Sequence, residues 1–202
     1  MTLDHITSPN FAIAKKYAED IASGEVLANR ARRLACKRFL VDLERVDLDF
    51  KQSQFDFVIG IIEGTDHHVQ GEDKNGVSFK GCPMLLTDWQ KLIIVNLFGF
   101  FKKGTTIRRF TEALIFLPRK QGKTSFSAAL GEAKSILDRA SGAKTYIVAN
   151  SVKQTMESFG FIRDNVEILR PDVKKLRVRD NNQEHSIVID FGDGTAEIYA
   201  IA

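Results

Sequence analysis

The residues best suited to chemistry lie in one short run, LPRKQGKTS (Leu117–Ser125). A glycine, a lysine and then a hydroxyl residue suit one task. Backbone N–H groups converge on phosphate oxygens, the lysine reaches the β/γ-phosphates, and the hydroxyl ligates Mg²⁺. Gly122, Lys123 and Thr124 supply those parts. The general form of such a loop carries another glycine five positions before the second one; Leu117 stands there, so the general pattern is not matched. Gly-Lys-Thr alone also occurs by chance at helix starts, with the threonine a mere N-cap, so the flanking elements decide. Arg119 and Lys120 add positive charge at the same place. Together with Lys123 and the helix N-terminus they repel one another, each opposing contribution costing roughly 0.3–1 kcal/mol. A bound polyphosphate relieves that repulsion.

The elements that must hold this loop are legible on both sides. EALIFLP (Glu112–Pro118) has the pattern of a buried strand, SFSAALGEAKSILDRA of a helix, and KTYIVANS (Lys144–Ser151) of a second buried strand. Strand, loop, helix and strand in that order predict a βαβ unit in a parallel sheet covered by helices. A further helix follows, stopped by Pro171, and Ser186–Ala202 reads as a hairpin around Gly192-Asp193-Gly194. Upstream, Ser8-Pro9 opens a helix with Phe11, Ala14, Tyr17, Ala18 and Ile21 at helical spacing, closed by Ser23-Gly24. The next stretch places Val26, Leu27, Leu34, Phe39, Leu40, Leu43 and Val46 along one broad stripe, with Arg30, Arg32, Arg33, Lys37 and Arg38 on the remaining surface. Phe55–Gly64 predicts a third short helix, with a strand as the alternative. Thr65–Pro83 is polar and glycine-rich, a long loop or loose hairpin, and Thr87 opens an apolar helix running to about Phe101. KKGTTIRR follows as a basic connection.

Composition bounds the class. The chain has 202 residues, 44% hydrophobic and 27% charged, and its fifteen Phe carry more apolar surface than a solvated chain holds. The longest apolar run, Leu92–Phe101, falls well short of the ~20 residues that cross a bilayer. The N-terminus has no basic region followed by an apolar stretch, hence no secretory signal. Two cysteines, Cys36 and Cys82, point to a reduced, cytoplasmic setting without a disulfide scaffold. A net charge of +3 permits an anionic partner without demanding one. His67-His68 are adjacent, so their side chains diverge and make a poor metal site. The basic stretch Arg170–Asp180 is read either as a track for DNA phosphates or as solvated surface, and Arg32, Arg33, Lys37 and Arg38 as subunit contact, DNA contact or solvated surface. No apolar strand ends in the Asp-Glu pair that completes Mg²⁺ coordination and activates water. Asp190 follows an apolar strand, but the Phe-Gly-Asp-Gly behind it reads as a turn.

LIFLPRKQGKTSFSAA resembles the Walker A region of the large terminase subunit of tailed phages, the ATP-driven DNA-packaging motor and nuclease. In that family the loop reads Arg-Lys-Asn-Gly-Lys-Ser/Thr and lacks the first glycine, which accounts for Leu117. LTDWQKLIIVNLFGF resembles its Leu-x-x-Trp-Gln segment, IRRFTEALIFLPRK its approach strand, and IVANSVKQTMESFGFIRD its second strand and following helix. KYAEDIASGEVLANRARRLACKRFLVDLER resembles the helical lead of the lysogenic-phage branch. The resemblance implies an α/β fold with a P-loop parallel sheet core (residues 85–202), preceded by a helical lead and loop (residues 1–84), and cut short before the Walker B acids and the nuclease domain. It implies ATP and Mg²⁺ as cofactors, held by Arg119, Lys120, Gln121, Gly122, Lys123, Thr124 and Ser125. In that scheme Lys123 and Arg119 act on the terminal phosphates and Thr124 on the metal. Gln90 aligns with a residue that contacts adenine, yet Thr87-x-x-Gln90 is also a capping box, and both readings stand. Trp89 is read as a core anchor before a stacking platform. Implied partners are double-stranded DNA, the small terminase subunit and the portal of the procapsid, with a ring of subunits in the cytoplasm of an infected or lysogenic host. A small P-loop kinase and a non-catalytic prophage remnant are the competing readings.

Overall fold

A computed structural model describes residues 7–73 and 75–201; most of the N-terminal segment searched for a signal lies outside them. The chain is an α/β protein that divides into two compact units. The first comprises the described residues up to Ile59 with Leu86–Ile115, and the second Gly60–Leu85 with the described residues from Phe116 onward.

In the first unit, α1 (Pro9–Ser23) starts where Ser8 caps the backbone N–H of Phe11, and it ends at Gly24, whose φ of 92° suits glycine. Phe11, Ala14, Ala18 and Ile21 form its buried stripe. Helix α2 (Arg30–Leu43) is capped by Asn29, and α4 (Asp88–Gly99) packs against α1. The short strands β1 (Leu48–Phe50) and β2 (Phe100–Lys102) pair antiparallel, and KKGTTIRR turns back on β2 through a Phe101–Arg108 bridge: Lys102 donates to the carbonyl of Ile107 and Arg109 to that of Phe100. Phe50 lies at the centre of a ring cluster, with Phe11, Phe55 and Phe100 centroids 5.3, 5.4 and 4.9 Å away. Gly99 makes room for it, because a Cβ there would stand 2.6 Å from Phe50 Cε2. Gly99→Ala is expected to cost about 1–3 kcal/mol through overpacking. Urea unfolding checks this, and an unchanged midpoint would show that the ring moves aside freely.

The α2 expectation needs correction. Its buried face is Cys36, Phe39, Asp42 and Leu43, while Leu27, Leu34 and Val46 are 94%, 55% and 76% exposed. The broad stripe drawn from sequence merged two opposite faces. Burial at Asp42 is tolerated because Arg109 and Arg45 pair with its carboxylate.

In the second unit, α5 (Lys123–Leu137) and α6 (Val152–Val166) pack on a four-stranded sheet of β3 (Lys144–Val148), β4 (Lys175–Asp180), β5 (His185–Asp190) and β6 (Thr195–Ile201) in the order β3-β6-β5-β4. β3 and β6 are parallel, and the β6–β5 and β5–β4 pairs are antiparallel. The sheet is therefore mixed, and the parallel element expected from sequence is one strand pair. Ile187, Ile189, Ala196 and Ile198 fill its buried face with Phe126, Phe159 and Ile162. The 185–201 hairpin is as expected, and Arg139 pins its turn with two bonds of 2.9 and 2.8 Å to Asp193.

Two strand expectations fail. Glu112–Pro118 pairs with no strand among the described residues, and Leu114 and Phe116 are 92% and 90% exposed. β3 forms, but as an edge strand covered on one side, with Tyr146 and Val148 exposed. An apolar run becomes a buried strand only where neighbours supply a ladder and a cover. Among the described residues, β3 has a ladder partner only in β6.

Candidate phosphate-binding site

Gly122 is the N-cap of α5 and Lys123 its first residue. Gly122 has φ 68°, and Lys120, two positions earlier, has φ 64°, the one described non-glycine residue at positive φ. Two left-handed residues this close turn the chain sharply into the helix. No side chain caps α5, so the N–H groups of its first turn have no intrahelical acceptor and stand open to an anion. A Cβ built on Gly122 meets nothing within 4 Å, so the space over the loop is clear.

The sequence-designated side chains gather here. Arg119, Lys120, Gln121, Lys123 and Thr124 are exposed, Ser125 is half-buried, and Phe126 anchors the turn in the core. Arg119, Lys120 and Lys123 form no ion pair among the described residues. The donor set fits a phosphate group: free backbone N–H groups, three uncompensated cations and the Thr124 hydroxyl at one helix end. The loop is open to solvent. A separate cleft of about 280 Å³, lined by Val152, Thr155, Met156, His185, Tyr199 and Ile201, contains none of its residues.

Gln90 belongs to the first unit. Its Oε1 accepts from the backbone N–H and from the hydroxyl of Thr87, both at 2.8 Å. The capping reading is thus realised, and the Gln90 carbonyl is committed to the start of α4. Trp89 beside it is half-buried.

Several of the remaining candidates have partners within the fold. Asp190 accepts from the N–H of Gly192 at 2.8 Å, stabilising the turn between antiparallel strands. His67 donates its backbone N–H to Asn165 Oδ1, and Asn165 returns a bond to the His67 carbonyl, which ties the 66–85 loop to α6. No group of three or more potential metal ligands occurs among the described residues. In the basic stretch, Arg170 pairs with Glu167 and Arg179 with Glu184, which neutralises part of its charge.

One feature escaped the sequence reading. Asp66, just after α3 (Gln52–Thr65), and Glu132 on α5 are each 1% exposed, and none of their four carboxylate oxygens has a hydrogen-bond partner. Burial pushes Asp66 up to about 7. Burial, reinforced by the neighbouring Asp66 charge, pushes Glu132 well above the usual carboxylate range. The only sequence signal was a glutamate on the apolar side of a small-residue helix.

The uncapped start of α5, preceded by a left-handed glycine and carrying Lys-Thr, has a local shape that can receive an anion, although no strand leads into it among the described residues. A family model described as the terminase large subunit, ATPase domain, matches residues 88–201. That match spans more than half of the chain, which belongs to this family. No curated protein and no solved structure matches it.

Proposed function

We propose that the chain binds ATP with Mg²⁺ at Arg119–Ser125 and serves as the nucleotide-handling part of a motor that moves double-stranded DNA into a procapsid. The uncapped start of α5, with its three unpaired cations, carries this reading. Lys123 would draw charge from the terminal phosphates, Arg119 would stabilise charge developing at the γ-phosphate, and Thr124 would supply an oxygen to the metal. The backbone N–H groups of Gly122–Ser125 orient the polyphosphate without needing to rearrange. Mg²⁺ held there by Thr124 would supply charge neutralisation at the phosphates. Family membership, matched over residues 88–201, supports the wider setting of residues 85–202 as the ATPase core, with DNA, small subunit and portal as partners; residues 1–84 would be its lead.

Calorimetric titration with ATP, with and without Mg²⁺, tests the reading. Binding that strengthens with the metal and loses that dependence in Thr124→Ala supports it; no binding by the folded chain refutes it. The two Gln90 readings separate as well. Thr87→Ala is expected to lower stability by about 1 kcal/mol through loss of the cap and to leave the preference for ATP over GTP intact. Gln90→Ala lowers both if the amide also reads adenine, and stability alone if it does not. Denaturation paired with competition between the two nucleotides distinguishes them.

A further inference from the structure

Helix α2 is apolar on two opposite sides. One side is buried through Cys36, Phe39 and Leu43. On the other, Leu34 (55% exposed) and Val41 (60% exposed) lie seven residues apart, two helical turns along one line. Leu27, another seven residues back and just before the helix, is 94% exposed. At 3.6 residues per turn, Arg30 and Lys37 border this line on one edge and Arg38 on the other. Arg30, Arg33 and Lys37 are exposed and form no ion pair among the described residues. The Arg38 guanidinium lies over the Phe110 ring, 4.8 Å from its centroid.

We propose that this outer face of α2 is a docking surface for an amphipathic helix of a partner protein, with apolar residues at heptad spacing flanked by acidic ones. Seven-residue spacing of Leu34 and Val41, the two within the helix, matches the seam along which two helices pack, and Leu27 adds apolar surface just before it. Burial of Leu27, Leu34 and Val41 yields free energy only against an apolar partner, and a phosphate backbone offers none. Charge then selects among apolar partners. The bordering cations repel a second copy of the same face and attract glutamate or aspartate at the partner's flanking positions. This surface lies outside the phosphate loop and does not depend on nucleotide binding.

The test uses the full chain and a fluorescent synthetic peptide helix three heptads long, with leucine in the seam and glutamate at its borders. A second peptide carries lysine at the borders. Anisotropy is expected to show the acidic peptide binding at least tenfold more tightly than the basic one. Leu34→Asp is expected to weaken it at least tenfold while the circular dichroism melt stays unchanged. The double variant Arg30→Glu/Lys37→Glu, on the solvated border of the helix, is expected to reverse the preference between the two peptides. Failure of the acidic peptide to bind overturns the proposal, as does equal binding of both peptides or indifference to Leu34→Asp. Duplex DNA that binds and is displaced by these substitutions would assign the face to nucleic acid instead. Self-association of the chain abolished by Leu34→Asp would assign it to a second copy. Either result overturns the acidic-helix assignment.

Discussion

Lys123→Ala is expected to weaken the proposed ATP·Mg²⁺ binding by roughly 10- to 100-fold, the loss that follows when one charge-assisted contact to phosphate is removed. The folded state should barely notice. Lys123 is exposed at the first position of α5 and has no ion-pair partner among the described residues. An exposed substitution of this kind stays within about 0.5 kcal/mol of the parent. Loss of a cation beside Arg119, Lys120 and the helix N-terminus even relieves repulsion. The expected signature is therefore a thermal midpoint that holds or rises slightly while affinity collapses. Calorimetry and a thermal melt on the same preparation check it. Unchanged affinity would remove the lysine from the site, and a collapsed melt would mean that the loop is structural. Lys123→Arg should recover only part of the loss, because the planar guanidinium cannot present the same compact charge.

Between pH 5 and pH 8 the chain should lose stability, and Asp66 with Glu132 is the reason. Both carboxyls titrate higher in the folded chain than in the unfolded one, Asp66 at about 7 and Glu132 well above its usual range. The folded state thus binds more protons, and the sign follows. The stabilisation is fully present below the ordinary carboxylate pKa near 4 and is lost as pH rises through about 7. At pH 8, folding must either bury two ionised carboxylates that lack a hydrogen-bond partner among the described residues or take up protons against the solvent. Glu132→Gln removes the ionisable group whose charged form both burial and the Asp66 charge oppose. It is expected to flatten the pH dependence and to raise stability at pH 8 by on the order of 1–3 kcal/mol. At pH 5, where the carboxyl is already neutral, it should change little. Chemical denaturation of both proteins across this range is the measurement, and parallel pH profiles would refute the assignment. The pair lies in the second unit, and Glu132 is on the helix that starts at the candidate phosphate-binding residues. Nucleotide binding and this titration are thus to be measured on the same preparation.

How far local pattern reaches is clear at particular residues. The strand expected before the candidate phosphate loop does not form, but the marks of the loop itself are local: a left-handed glycine, an uncapped helix start and Lys-Thr at the first two positions follow from a few adjacent residues. The same holds for the Ser8 cap with Pro9, the Thr87–Gln90 box and the Gly192-containing turn, where partners lie within four residues. Pairing across the chain is different. Leu114 and Phe116 look like buried strand residues, yet neither gains a neighbour, because alternation and β-branching do not name the strand that must lie alongside. Strand β4 was overlooked for the converse reason: its Lys-x-Arg-x-Arg alternation looks like a solvated stretch until β5 pairs with it. On α2, composition marked the helix but not which of its two apolar lines would be covered. The opposing contacts choose Phe39 and Leu43 over Leu34 and Val41. The carboxyls of Asp66 and Glu132 are sixty-six positions apart in the chain, and only folding puts them in one apolar interior. Short-range hydrogen bonding and backbone conformation are encoded in neighbouring residues. Burial, strand partnership and shifted protonation depend on what the rest of the chain places around each group.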